Sequence, residues 1–327
     1  MMREEQQFLE QFKKDMGFEK ILQSVNENLF AAENALYQDL PEERATIHII
    51  GSPRSGTTLL NQLISSCLDV GYINNFIAAF WKTPLHGIIL SKKLIGLNYD
   101  SDYTSDFGKT NAITEPHEYT YFWCYFLKYN KIGQTPPEHD NEIDWQQLKL
   151  VLLNMCHAFK TSIVFKSLFL GWHMASVLKV LHKTLFILVE RDITDNAYSL
   201  LQIRKKYFGT YNTWASIKPM QYEALSELNP FEQVIGQVYY LNESYKQQLN
   251  NISPDNFLHI TYKEICASPA TVLNSIIKKL EVLQVKQSII KQPPAYFNSK
   301  SCISREDRMA LQKAAHTFFS RTVHNIL

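Results

Sequence analysis

Within eight positions, Gly51-Ser52-Pro53-Arg54-Ser55-Gly56-Thr57-Thr58 gathers two glycines, four hydroxyls and one guanidinium. Those residue types suit the binding of an oxyanion. Gly51 permits a tight turn, and Gly56 lets backbone N–H groups approach an anion at the positive end of a following helix. Ser55, Thr57 and Thr58 can donate to the same oxygens, and Arg54 supplies charge. The spacing GxxxxG matches a nucleotide phosphate loop, yet Thr57 stands where a triphosphate-binding loop carries the Lys that reaches the β/γ-phosphates. With the cation moved back to Arg54, a shorter anion fits better than Mg·ATP: one 5′-phosphate bearing one more small group.

A second cluster begins where the apolar run Phe186-Ile187-Leu188-Val189 ends in Glu190-Arg191-Asp192, with Asn196-Ala197-Tyr198-Ser199 following. Arg191 leaves a strand end, and Ser199 lies about two turns into the next helix; a guanidinium there offers forked, charge-assisted hydrogen bonds to a phosphate. For proton transfer, Glu115, His117 and Glu118 open an aromatic segment, Thr120-Tyr121-Phe122-Trp123. His117, with an unperturbed pKa near 6.5, is the first candidate base and Glu118 the second. Pro116 equally reads as a first helical residue, with Glu118 favouring the helix dipole and Glu115 solvated. Lys166 ends a strand on the edge where ligands bind in open α/β folds, as does many a solvated lysine. Trp214 and Lys218, in the loop after the Arg191 helix, read either as shaping a substrate pocket or as a core satellite and a solvated lysine, and Lys300 and Arg305 near the C-terminus are two further cations for a phosphate.

The loop Gly-Ser-Pro-Arg-Ser-Gly-Thr-Thr-Leu-Leu resembles the 5′-phosphosulfate loop of sulfotransferases that use 3′-phosphoadenosine 5′-phosphosulfate (PAPS). The segment from Phe186 to Ser199 is similar to that family's 3′-phosphate strand and helix, and Ile260-Thr261-Tyr262-Lys263-Glu264-Ile265 is a weaker echo of a structural segment. The resemblance implies PAPS as donor, residues 51–58 on the 5′-phosphosulfate, and Arg191 with Ser199 on the 3′-phosphate. It further implies sulfuryl transfer to a hydroxyl or amine of a small-molecule or carbohydrate acceptor, without a metal. Arg54 would hold the leaving phosphate and Lys166 would steady sulfonate oxygens. Sulfotransferases use either His or Glu as base, so the resemblance does not choose between His117 and Glu118. The rivals are a magnesium-dependent kinase or nucleotidase of the phosphate-loop type and a non-catalytic nucleotide-binding protein of the same fold.

These residues need a scaffold, and the pattern around them supplies one. Thr46–Ile50, Ser162–Phe165, Thr184–Val189 and Phe257–Ile260 read as buried strands. Helices are expected over parts of 3–36, from Thr57 to Ile64, and over 172–183, 194–206, 230–250 and 268–281. Continuously apolar strands separated by helices predict an α/β three-layer fold: a mainly parallel sheet of about five strands, covered on both faces. One domain is expected over 1–327, with a helical extension (1–40), a core (46–280) and a C-terminal segment (281–327). Gly and Pro number 11 and 12 of 327 residues, well below average usage of about 12% together. With 45% hydrophobic residues, that excludes a disordered or low-complexity chain. The formal charge of +1 gives no global field for nucleic acid. Five scattered cysteines without CxxC read as reduced thiols, and neither a signal peptide nor a bilayer-spanning run stands out, so a cytoplasmic location is expected.

Overall fold

The computed structural model describes residues 8–96, 99–129, 140–298 and 303–324; Lys300 and Cys302 lie outside them. A five-stranded, all-parallel sheet runs through the protein: β1 (Thr46–Ile50), β2 (Gly71–Tyr72), β3 (Ile163–Lys166), β4 (Thr184–Glu190) and β5 (Phe257–Thr261), in the order β2-β3-β1-β4-β5. The expected α/β architecture is thus present. All five residues of β1 are buried, because β1 is central and both its faces are covered. Ile47 and Ile49 point, with Leu185 and Ile187, into one apolar layer with Leu63, Ile64, Leu273 and Ile276. Ile50, Phe165, Phe186 and Leu188 point the other way, against Trp123, Leu152 and Leu241.

Helices fill the connections. They are α1 (Met16–Leu36), α2 (Thr57–Cys67), α3 (Pro84–Leu94), α4 (Thr120–Phe126), α5 (Trp145–Phe159), α6 (Met174–Leu178), α7 (Ile193–Phe208), α8 (Tyr222–Ser226), α9 (Pro230–Leu249), α10 (Tyr262–Ala267), α11 (Pro269–Val282) and α12 (Arg305–His324). The crossover from β1 to β3 carries α2 to α5, and α7 to α9 separate β4 from β5. Consequently the phosphate loop, Lys166 and Arg191 all emerge at the carboxyl edge of three adjacent strands.

The helix expected over 172–183 is shorter than its sequence suggests. A 3₁₀ turn at Leu168–Trp172 precedes α6, which stops at Leu178. The Glu42 carboxylate accepts the main-chain N–H groups of His182 (2.9 Å) and Lys183 (2.6 Å), drawing the chain out of the helix and into β4. Edge strand β2 was not anticipated, being only two residues long. Among the described residues Cys67, Cys124, Cys156 and Cys266 are buried thiols.

One core residue carries a testable pH dependence. His48 in β1 is wholly buried, stacked against Phe165 with its Nδ1 3.1 Å from Ser167 Oγ. Burial pulls its pKa down to about 3, so the folded protein keeps it neutral while the unfolded chain protonates it near 6.5. Between those values the unfolded state binds the extra proton, and stability is lost as pH falls below about 6.5, at about 1.4 kcal/mol per pH unit for this group. Urea midpoints should therefore drop from pH 7 to pH 5, and His48→Asn should flatten that slope; equal slopes would refute the assignment.

Candidate active site

At the β1–α2 loop the sequence dictates an unusual backbone. Gly51 has φ +150°, and a Cβ there would lie 2.4 Å from the Val189 carbonyl oxygen of β4. Gly56 (φ +110°) caps α2, and its missing Cβ leaves room for the Tyr262 ring, which would otherwise be 2.5 Å away. Between them Arg54 adopts φ +74°, a left-handed conformation costly for a non-glycine residue and typical of ligand-gripping turns. Asn196 of α7 braces the loop from below, donating its Nδ2 to the Pro53 carbonyl at 2.9 Å; Ser52 Oγ donates to Asn196 Oδ1 at 3.4 Å.

Arg54 and Arg191 meet over this loop. Arg54 Nε donates to Ser199 Oγ at 3.0 Å, and an Arg191 terminal nitrogen donates to the Arg54 carbonyl at 3.4 Å. The Arg191 guanidinium lies over the Tyr262 ring (4.6 Å), and the Arg54 guanidinium over Phe107 (5.4 Å). Burial, and then the charge of Arg191, pull the Arg54 pKa down to about 10, leaving it cationic at neutral pH. Among the described residues neither arginine forms an ion pair with a carboxylate. Ser55 Oγ and Arg191 Nε are buried without hydrogen-bond partners. Two adjacent cations, orphaned donors and a helix N-terminus are groups suited to an anion. The sequence-derived set Gly51 to Thr58, Arg191 and Ser199 is thus brought together in one place.

The loop opens into a cavity of about 990 Å³ that also exposes Glu118, Lys166, Trp214 and Lys218. Lys166 Nζ bridges Glu118 Oε2 (3.0 Å) and Thr58 Oγ1 (3.2 Å), joining the strand end, the phosphate loop and a carboxylate. Segment 103–109 forms the facing wall; the Gly108 carbonyl accepts from Thr58 Oγ1 at 3.5 Å, and Asp106 pairs with Lys206.

The acidic cluster 115–118 divides. α4 begins at Thr120, after a left-handed Tyr119, so Pro116 is not a first helical residue. Glu115 is not solvated: it is buried, its Oε2 accepting from Tyr99 Oη (2.7 Å) and Gln62 Nε2 (3.2 Å). His117 Nδ1 accepts the Tyr119 N–H at 2.8 Å, which leaves the ring proton on Nε2. Burial lowers its pKa to about 4, and it does not line the cavity. Glu118 does. Of the remaining candidates, Trp214 and Lys218 line the cavity, Arg305 is exposed at the start of α12, and Lys300 lies outside the described residues. Tyr262 was read only as structural; its place under Arg191 and against Gly56 makes it part of the site.

Residues 46–284 match the model of the sulfotransferase family. No curated protein matches the chain. Among solved structures, the chain is similar to sulfotransferase STF9 from Mycobacterium avium, with 13% identity, TM-score 0.49, 91% of this chain and 76% of that one. Sulfotransferase STF1 from Mycobacterium tuberculosis H37Rv has 10% identity and TM-score 0.47 over 90% and 76% of the two chains. A sulfotransferase from Alicyclobacillus acidocaldarius has 13% identity and TM-score 0.44 over 85% and 94%.

Proposed function

Because the chain belongs to the sulfotransferase family, we propose that it moves a sulfuryl group from PAPS to a hydroxyl or amine of a small-molecule or carbohydrate acceptor. The observation that carries this reading is the pair of guanidiniums, Arg54 and Arg191, meeting over the loop without carboxylate partners beside the orphaned Ser55 Oγ. That donor set fits two anionic groups carried by the 5′ and 3′ positions of one ribose. Residues 51–58 and Arg54 hold the 5′-phosphosulfate, and Arg191 with Ser199 holds the 3′-phosphate.

PAPS supplies the sulfuryl group: the acceptor oxygen or nitrogen bonds to sulfur as the bond from sulfur to the 5′-phosphate oxygen breaks, and 3′-phosphoadenosine 5′-phosphate (PAP) leaves. Glu118 takes the proton released by the attacking group. Of the 115–118 cluster it is the group that lines the cavity, beside the phosphate loop, whereas His117 already spends its Nδ1 lone pair on the main chain. Lys166 orients Glu118 and reaches Thr58, placing its ammonium between base and loop. Arg54 and the α2 N-terminus stabilise charge building on the departing phosphate.

Calorimetric titration with PAP, AMP and ATP tests the donor assignment. PAP should bind at least tenfold tighter than AMP, the margin belonging to Arg191 and Ser199, without added magnesium. Equal affinity for AMP and PAP, or magnesium-dependent preference for ATP, would overturn it in favour of a kinase-like enzyme.

A further inference from the structure

The cavity has a second cationic end that the donor reading leaves unused. From Ser199, positions 203 and 207 follow on the same face of α7, and Ile203 and Tyr207 both line the cavity. The cavity therefore follows α7 beyond the Arg54–Ser199 contact, and Trp214, Lys218, Tyr222 and Gln233 form another wall of it. Directly beneath that wall sits Arg204, which has no solvent exposure. One of its terminal nitrogens donates to Gln233 Oε1 (2.6 Å) and to the Tyr211 carbonyl (3.1 Å), and its guanidinium lies 4.9 Å from the Trp214 ring. Its Nε and its other terminal nitrogen are buried without partners, as is Trp214 Nε1.

Every partner of Arg204 is a neutral dipole or a ring; no carboxylate pairs with it among the described residues. Lys218 is in the same position. Its Nζ sits 3.7 Å over Tyr222 and forms no ion pair among the described residues. Glu223 lines this end too, but it is exposed and leaves Lys218 unpaired. Gln233 cannot absorb the charge, since its Nε2 is committed to the Ser226 and Leu228 carbonyls and its Oε1 to Arg204. Around the cavity Arg54, Lys166, Arg191 and Lys218 face two carboxylates, Glu118 and Glu223, and Lys166 already pairs with Glu118. A buried cation normally has a counter-charge, and an excess of donors calls for an acceptor-rich group.

Resting on the sulfotransferase reading, we propose that the Trp214–Lys218 wall, underlain by Arg204, is an anion subsite that docks a carboxylate or sulfate carried by the molecule being sulfated. Lys218 contacts that oxyanion directly, and Arg204 is a positioning residue that supplies field through the wall and holds Gln233. The substrate class is then an acidic alcohol, phenol or sugar rather than a neutral one. Arg54 and Arg191 remain free for the donor, so charge at the two ends is spent on different molecules.

The test uses matched pairs, 4-hydroxyphenylacetate with its amide and glucuronate-ended with glucose-ended oligosaccharides, titrated against PAP-loaded protein and assayed for sulfuryl transfer from PAPS. The acidic member of at least one pair should bind at least tenfold tighter and transfer with at least tenfold higher kcat/KM. Lys218→Gln, at the cavity surface, should cut that preference to within about threefold of unity while leaving PAP affinity unchanged. Arg204→Gln should do the same where it folds. Equal binding of acidic and neutral members, binding of neither, or weaker PAP binding in Lys218→Gln would overturn the subsite alone. Failure of wild-type protein to bind PAP would overturn the donor assignment and the subsite with it.

Discussion

Arg54→Met is expected to lower kcat/KM for sulfuryl transfer by about 10³-fold, the scale on which removal of one preorganised charge-stabilising group is felt. Met keeps the length of the stem and the strained φ of +74°, so the backbone cost is unchanged and the charge is the variable. PAP affinity should fall about tenfold or more, as befits loss of a charge-assisted contact to phosphate. Stability should move the other way. Arg54 is a buried cation beside the Arg191 cation, and its hydrogen bond to Ser199 is to a neutral hydroxyl. Removing it relieves repulsion and desolvation, so Tm should rise or hold while activity collapses. That opposition marks a residue placed for a ligand rather than for the fold. Unchanged PAP binding in the variant would remove the loop from the 5′-phosphosulfate site.

Glu118→Gln should cost about 10²- to 10⁴-fold in kcat, the range for loss of a general base, while PAP affinity stays within a factor of about two. The amide keeps the shape and can still accept from Lys166, which isolates the proton-accepting role. The matched control is His117→Asn, whose side-chain oxygen can take the Tyr119 N–H that Nδ1 now accepts. It should leave kcat within a few-fold. Reversal of the pair, with His117 essential and Glu118 dispensable, would return the base to His117; rapid-quench measurement of the transfer step on both variants decides it.

The order of these two candidates shows where sequence reading stops. Residues 114–118 present three titratable groups within four positions, and their types and spacing favour His117. What separates them is the left-handed turn at Tyr119, which folds the main-chain N–H back onto the His117 ring and swings Glu118 toward Lys166, 48 residues distant. No local pattern encodes that pairing. The strand–loop–helix unit around residues 51–58 was legible because strand, glycines and helix are contiguous. Arg191 and Ser199 were legible because one strand end and one helix place them.

Contacts made at long range were not legible. The buried Glu33 carboxylate of α1 accepts the Leu85 and His86 N–H groups at the start of α3, 2.7 and 3.1 Å away, and so caps a helix whose own sequence shows only Thr83-Pro84. Tyr262 was legible only within the structural echo Ile260 to Ile265; the capping box of Thr261 with Glu264 and the seat of its ring against Gly56 emerge with β5 lying beside β4. Arg204 carried no signal at all. Its burial follows from α9 packing against α7, which brings Gln233 to its guanidinium.

The placement of β1 at the centre of the sheet has a kinetic consequence. Its two neighbours follow it by more than a hundred residues, Ile163 pairing with Thr46 on one side and Thr184 on the other. Chain closure over such distances is slow, and it must precede any stable strand contact here. During synthesis, Gly51 and Arg54 leave the ribosome long before the Val189 carbonyl that shapes their turn, or Ser199, exists. The anion cradle is therefore a late product of folding. On the proposed function, a fragment ending before α7 should fail to bind the donor, and gain of PAP binding should report the arrival of β4 and α7 rather than the birth of the loop.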